Sequence, residues 1–324
     1  MAINMLHTEI VTIAIVASVT CCVPGVFLVL RGVAMMSDAI SHAILLGIVV
    51  MFLCVHSLTS PLLIVGASCA GIVTVLCTEM IIKSKRLKQD AAIGLVFPLF
   101  FSVGVILVSQ FARNVHLDTD MVLLGELAFA PFNRFVLHGI DCGPSALWVM
   151  GVALIINLLF VRLLYKELVV TTFDATLATM TGFSPVVLYY ALMVITSLTT
   201  VATFDAVGAI MVVALMITPP STAYLLTQRV SDMLFLSVIF AILSAILGYI
   251  FASYADVSIA GSIASMTGVF FVGVLVLKKV KNNINCFFRA RPEPVEGYPR
   301  ALEDILQQVQ NERKELSEKR FFDE

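Results

Sequence analysis

Residues 37–55 read SDAISHAILLGIVVMFLCV, with an acid and an imidazole in the first six positions and only apolar or small residues in the thirteen that follow. A run of this length and hydropathy is close to the ~20 residues a helix needs to cross the hydrocarbon core. The stretch therefore reads as a transmembrane helix and the chain as a membrane protein. An ionisable side chain inside the bilayer costs at least about 2.5 kcal/mol, so Asp38 and His42 at the head of this run require a physical reason.

The rest of the chain agrees with that reading. Its 324 residues are 60% hydrophobic and 13% charged, with a mean hydropathy of +1.01, outside the range of soluble globular domains. Of 20 Lys/Arg and 22 Asp/Glu, residues 278–324 hold 10 and 9, so the apolar body keeps 10 and 13. The net charge of −2 points to no nucleic-acid partner. Seven cysteines without a CxxC spacing indicate neither a disulfide framework nor a zinc knuckle and read as small apolar residues. The N-terminus, MAINMLHTE, lacks the basic region of a secretory signal and leads into a full-length span, so it is expected to be retained.

Apolar segments long enough to span fall near 10–30, 36–57, 61–82, 91–112, 146–165, 186–203, 206–226, 233–253 and 257–277. The expectation is an all-α bundle of eight or nine transmembrane helices, the uncertainty lying in where 186–226 breaks. Lys83, Lys85, Arg86 and Lys88 follow the third span, Arg162 and Lys166 end the fifth, Arg229 follows the seventh, and Lys278, Lys279 and Lys281 follow the ninth. The positive-inside rule puts these and Arg31 in the cytoplasm and the N-terminus outside. Segment 113–145 then lies outside and is expected to form one or two interfacial helices, with His116, Asp118, Asp120 and Glu126 in a solvated loop. Segment 167–185 lies inside, polar enough to form a cytoplasmic helix open to a partner. The domain division expected is a transmembrane body, 1–281, and a cytoplasmic tail, 282–324, made of a Pro/Gly linker and a helix with Leu302, Ile305, Leu306, Val309 and Leu316 on one stripe.

Four residues apart, Asp38 and His42 share one helix face. Carboxylate oxygen and imidazole nitrogen both ligate Mn, Fe and Zn, and two on one face supply part of a site that another span or subunit would complete. Ser41 is a candidate for orienting a ligand from behind. The competing reading is a hydrogen-bonded pair that packs the bundle or is hydrated, since the alternation of spans places it two turns from the cytoplasmic end. Asp205 and Asp256 are expected in short outer loops, and Glu79 as an ion pair with Lys83 one turn away. Pro24, Pro98, Pro219 and Pro220 interrupt apolar spans, as in transporters whose freed carbonyls line a cavity. No GxxxxGK[ST] occurs, so the chain has no P-loop and ATP-driven work needs a separate subunit. No HExxH or nucleophile constellation marks an enzyme.

Three separated stretches carry a resemblance. LRGVAMMSDAISHAILLG (30–47), FDATLATMTG (173–182) and VGAIMVVALMITPPSTAYLLT (207–227) resemble segments of the permeases of manganese/zinc/iron ABC importers. The likeness covers roughly residues 10–277. It implies that Asp38 and His42 meet the transported metal, and that Phe173, Asp174, Ala178 and Gly182 belong to the helix contacting the ATPase. It also implies a second permease subunit, identical or related, two cytoplasmic ATP-binding subunits and an extracytoplasmic metal-binding protein, in a bacterial inner membrane with no permanently bound cofactor. Leu46, Pro220 and Ala175–Thr176 depart from the residues usual in that family. A permease for a metal chelate and a proton-coupled carrier using Asp38 and His42 as a relay are the alternatives.

Overall fold

The computed structural model describes residues 2–56, 62–111, 127–137 and 140–289. It divides into two units, Met1–Val276 and Leu277–Glu324. The helices are α1 (Ala2–Leu30), α2 (Met35–Val55), α3 (Leu62–Lys83), α4 (Gln89–Phe111), α5 (Ser145–Leu163), α6 (Tyr165–Phe173), α7 (Ala175–Met180), α8 (Pro185–Leu226), α9 (Val230–Ala255) and α10 (Ile259–Arg289). Among the described residues, eight helices are long and apolar enough to cross a membrane. The tail stripe from Leu302 to Leu316 and the outer residues His116, Asp118, Asp120 and Glu126 lie outside the described residues.

α1 is the central post of the first unit. Ile13, Ala14, Ala17, Cys21, Cys22, Val26 and Phe27 are all fully buried, because small residues on successive turns let neighbouring helices approach closely where no hydrophobic force drives helices together. α9 runs antiparallel beside it: the His7 ring hydrogen-bonds the Tyr249 hydroxyl, Cys22 lies 3.6 Å from Ser237, and Val26 packs with Met233.

The 42-residue α8 takes in both apolar segments of 186–226 and counts among the eight candidate spans. At 1.5 Å per residue it would measure about 63 Å if straight, twice the thickness of a hydrocarbon core. Gly208 breaks it, with φ 76° and ψ 167°, a conformation essentially restricted to glycine. Tyr190, near the start, bonds Lys83 at the end of α3. Thr203 meets Cys21. After the break, Met216 meets Gly25 and Ala223 joins Val26 and Met233. Both ends of α8 thus lie at the Arg31 end of α1, with Gly208 the apex between two limbs of about 34 and 27 Å. The two apolar segments, 186–203 and 206–226, become one element of two oppositely directed limbs. Asp205 is exposed near this apex, in the helix and not in a loop.

The basic residues Lys83, Lys85, Arg86, Lys88, Arg162, Lys166 and Arg229 fall at the ends of helices on the Arg31 side, the arrangement the Lys/Arg bias requires of a cytoplasmic face. On the opposite face the expected interfacial helices give way, over the described part, to a 3₁₀ turn at Ala130–Phe132 and an antiparallel hairpin. Its strands are β1 (Arg134–Leu137) and β2 (Ile140–Pro144). The run RFVL is aromatic and β-branched, which suits a strand, and Arg134 is tied to Glu9 of α1 at 3.1 Å. A cavity of about 430 Å³ on this face is lined by His7, Tyr249 and Asp256. Asp256 caps α9 with φ 53°.

The helix-breaking prolines do not open a cavity where their partners are described. Pro24 cannot donate to Thr20 O, and the Asn157 side chain donates there at 3.0 Å. Pro220 likewise leaves Met216 O without its helical donor, and Gly25 packs so closely on that oxygen that a Cβ would sit 2.0 Å from it.

Candidate functional site

Asp38 lies in the first turn of α2, where the helix dipole favours a negative charge. His42 stands one turn further on, its Nε2 3.4 Å from Asp38 Oδ1. Their side chains are 29% and 24% exposed, so the pair is neither sealed in the bundle nor free on its surface. The face of α2 beyond them, Ala39, Ile40, Ala43 and Ile44, is fully buried. It is held there by α3: a Cβ on Gly47 would lie 2.4 Å from Gly66 O, so the two backbones are in contact. This packing fixes the rotation of α2 and points Asp38 and His42 away from the α3 seam.

α4 walls the imidazole. The ring of His42 stacks on Phe97 at 5.3 Å between centroids and meets Phe101 edge-on at 5.6 Å. Phe97 and Phe101 are four apart, on one face of α4, with Pro98 between them in sequence. Sequence reasoning passed over both; an aromatic pair at helical spacing in a span of similar hydropathy was the available signal. Ser41, expected behind the pair, is buried and donates its hydroxyl to Ser37 O at 2.9 Å.

The arrangement offers one carboxylate and one imidazole to an ion approaching from the open side. Among the described residues there is no group of three or more His, Cys, Asp and Glu side chains able to hold a metal. Another span of the described chain does not complete the ligand set, so a metal here takes its other ligands from water, substrate or a second polypeptide. At 3.4 Å the contact is longer than an ordinary hydrogen bond.

At the Arg31 end, α6 and α7 form the second candidate region. Asp174 caps α7, accepting from Thr176 N and Leu177 N at 2.9 Å each. Gly182, at φ 87°, closes the other end: Gly182 N donates to Thr179 O at 3.1 Å and Phe183 N to Ala178 O at 2.9 Å, the left-handed stop that a glycine permits. Ala178 is fully buried, while Phe173, Leu177, Met180 and Phe183 are exposed, Met180 by 81%. A helix of six residues cannot persist alone in water, so cap, stop and the Ala178 contact together hold an apolar face out from the membrane body.

Arg31 joins the two regions. Its Nη2 donates to Thr171 Oγ1 at 2.9 Å and its Nε to Thr172 Oγ1 at 3.1 Å, directly before Phe173. Partial burial lowers the pKa of Arg31 from its ordinary value, with Tyr189 opposing the shift, and the guanidinium stays charged at any working pH. Glu79 and Lys83 form the expected pair at 3.7 Å.

Comparison with known proteins follows the same lines. The chain is 43% identical over 267 residues to the manganese transport system membrane protein MntD of Bacillus subtilis (strain 168), covering 82% of this chain and 90% of that protein. It is 50% identical over 263 residues to the zinc transport system membrane protein TroD of Treponema pallidum (strain Nichols), covering 81% and 71%. Its fold matches PsaBC from Streptococcus pneumoniae, solved in complex with Fab, with a TM-score of 0.69 and 28% identity over 82% of this chain and 90% of that one. Residues 3–278 match the family model described as the ABC 3 transport family, and the chain belongs to that family.

Proposed function

We propose that the chain is the permease subunit of an ATP-driven importer of divalent transition metal ions, Mn, Zn or Fe, in a bacterial inner membrane. The observation that carries the reading is the Asp38–His42 pair, 3.4 Å apart and partly exposed on one face of α2. A hard carboxylate with a borderline imidazole suits these three ions. The pair is tolerated in the membrane because it faces a polar path and not lipid. Its remaining ligands come from a second permease subunit across that path. The exposed face of α7, bounded by Phe173, Asp174 and Gly182 around the Ala178 anchor, docks a cytoplasmic ATP-binding subunit. ATP hydrolysis belongs to that subunit, since this sequence has no P-loop. An extracytoplasmic binding protein delivers the ion, and residues 282–324 form a cytoplasmic tail beyond the permease body.

The test is uptake of radioactive Mn, Zn or Fe(II) by proteoliposomes holding permease, ATPase and binding protein. Wild type is expected to accumulate at least one ion only with ATP, and Asp38→Ala and His42→Ala to lose that uptake while remaining assembled. Uptake driven by a proton gradient without ATP selects the carrier alternative. ATP-dependent uptake that both variants retain removes the pair from the path and favours a chelate as cargo.

A further inference from the structure

The connection between the α7 docking face and the Asp38–His42 pair is short and stiff. α1 ends in a tight elbow: Arg31 N donates to Phe27 O at 3.0 Å, Gly32 N to Val29 O at 3.1 Å and Val33 N to Leu28 O at 3.0 Å, with Gly32 at φ 69°. Met36 N then bonds Val33 O at 3.0 Å, so α2 starts without slack and Asp38 sits seven residues beyond Arg31. On the other side of Arg31, the two threonine hydroxyls donate into their own helix, Thr171 to Glu167 O at 2.8 Å and Thr172 to Leu168 O at 2.6 Å. Each hydroxyl hydrogen is thereby committed to α6, and the lone pairs are turned to the guanidinium. The fork of Arg31 grips a rigid helix through two parallel bonds, a geometry the single ammonium of lysine cannot reproduce.

We infer that Arg31 is the positioning residue that carries displacement of the α6–α7 segment to α2, so that movement at the ATPase face reorients Asp38 and His42. Thr171 and Thr172 are its purchase on α6. This rests on the metal-import reading above. Arg31 touches neither ion nor nucleotide; its role is mechanical, and its signature is the ratio of transport to hydrolysis.

The test uses the complete complex in proteoliposomes and measures metal ions accumulated per ATP hydrolysed. Variants are Arg31→Lys, which keeps the cytoplasmic charge and hence the topology, the pair Thr171→Val with Thr172→Val, and the three changes combined. The expected result is a fall of about tenfold in ions per ATP for either set, with hydrolysis retained. Loss from the combined variant should be no greater than from either alone, because one linkage is broken once. Metal retained by the detergent-purified complex is unchanged in all of them, as the ligands themselves are intact. An unchanged ratio in Arg31→Lys, or losses that multiply, overturns the inference. So does a joint loss of hydrolysis and assembly, which assigns Arg31 to folding alone. A wild-type complex that accumulates none of the three metals with ATP sinks the import reading itself, and this inference with it.

Discussion

The side-chain amide of Asn157 donates at 3.0 Å to the carbonyl of Thr20, the one oxygen that Pro24 leaves without a helical donor. The same amide reaches Thr199 Oγ1 at 2.9 Å, and Thr199 returns a bond to Asn157 Oδ1 at 3.0 Å. One polar residue on α5 thus repairs a proline defect in α1 and ties both to the first limb of α8. In a medium without water, a freed backbone carbonyl must find such a partner.

Replacing Asn157 by Leu strands Thr20 O and one lone pair of Thr199 in the core. An unsatisfied buried group costs about 1–3 kcal/mol, softened toward about 1 kcal/mol in membranes, where alternative partners exist. The detergent-purified variant should melt at a lower temperature than wild type in a size-exclusion stability assay, and Pro24→Ala should recover part of the loss by restoring the helical donor. No recovery would mean that Asn157 acts through Thr199 alone.

Gly208 supplies a second stability prediction. Its φ of 76° and ψ of 167° are closed to residues with a Cβ, and holding one there costs about 1–3 kcal/mol. Gly208→Ala should therefore reduce the folded yield and the melting temperature, whereas Gly94→Ala, where an added methyl meets nothing within 4 Å, should leave both unchanged. A tolerant Gly208→Ala would show that α8 can run through this point as continuous helix.

The helices and their order were legible because hydropathy alone marks a span. The break in α8 was legible as a gap between apolar segments, although Gly208 as its cause was not, since positive φ leaves no trace beyond the presence of a glycine. Asp38, His42 and the α7 segment stood out by charge and motif. Phe97 and Phe101 did not, because in a lipid-facing span an aromatic wall and a lipid contact have the same composition. Arg31 was visible as a topology marker and as part of the 30–47 motif; its grip on Thr171 and Thr172 depends on α1 and α6 meeting 140 positions apart in sequence, which spacing cannot disclose. The outer hairpin was missed because Gly and Pro there argued only against a span, leaving short helix and strand equally open.

At α7 the prediction separates a cap from a charge. Asp174 accepts two backbone N–H bonds, and an N-cap is worth about 1 kcal/mol, a large fraction of what can hold six residues helical. Asp174→Ala should lower ATP-dependent metal uptake by several-fold, about what 1 kcal/mol allows, and weaken co-purification of the ATPase. Asp174→Asn, which caps equally well, should preserve both. Loss in the Asn variant would instead require the carboxylate charge itself at the ATPase contact.

The aromatic wall around His42 makes the last prediction. Stacking against Phe97 at 5.3 Å and the edge contact with Phe101 at 5.6 Å restrict the ring to one plane, and aromatic pairs of this kind are worth about 0.5–1.5 kcal/mol. A ligand held in place loses less freedom on meeting its ion, so the wall should act on affinity more than on turnover. Phe97→Ala is expected to raise the metal concentration giving half-maximal uptake by about two- to tenfold while leaving the maximal rate close to wild type. Phe97→Tyr, which keeps the ring, should change neither. A fall in maximal rate with unchanged concentration dependence would mean that Phe97 acts in the conformational cycle and not in holding the imidazole.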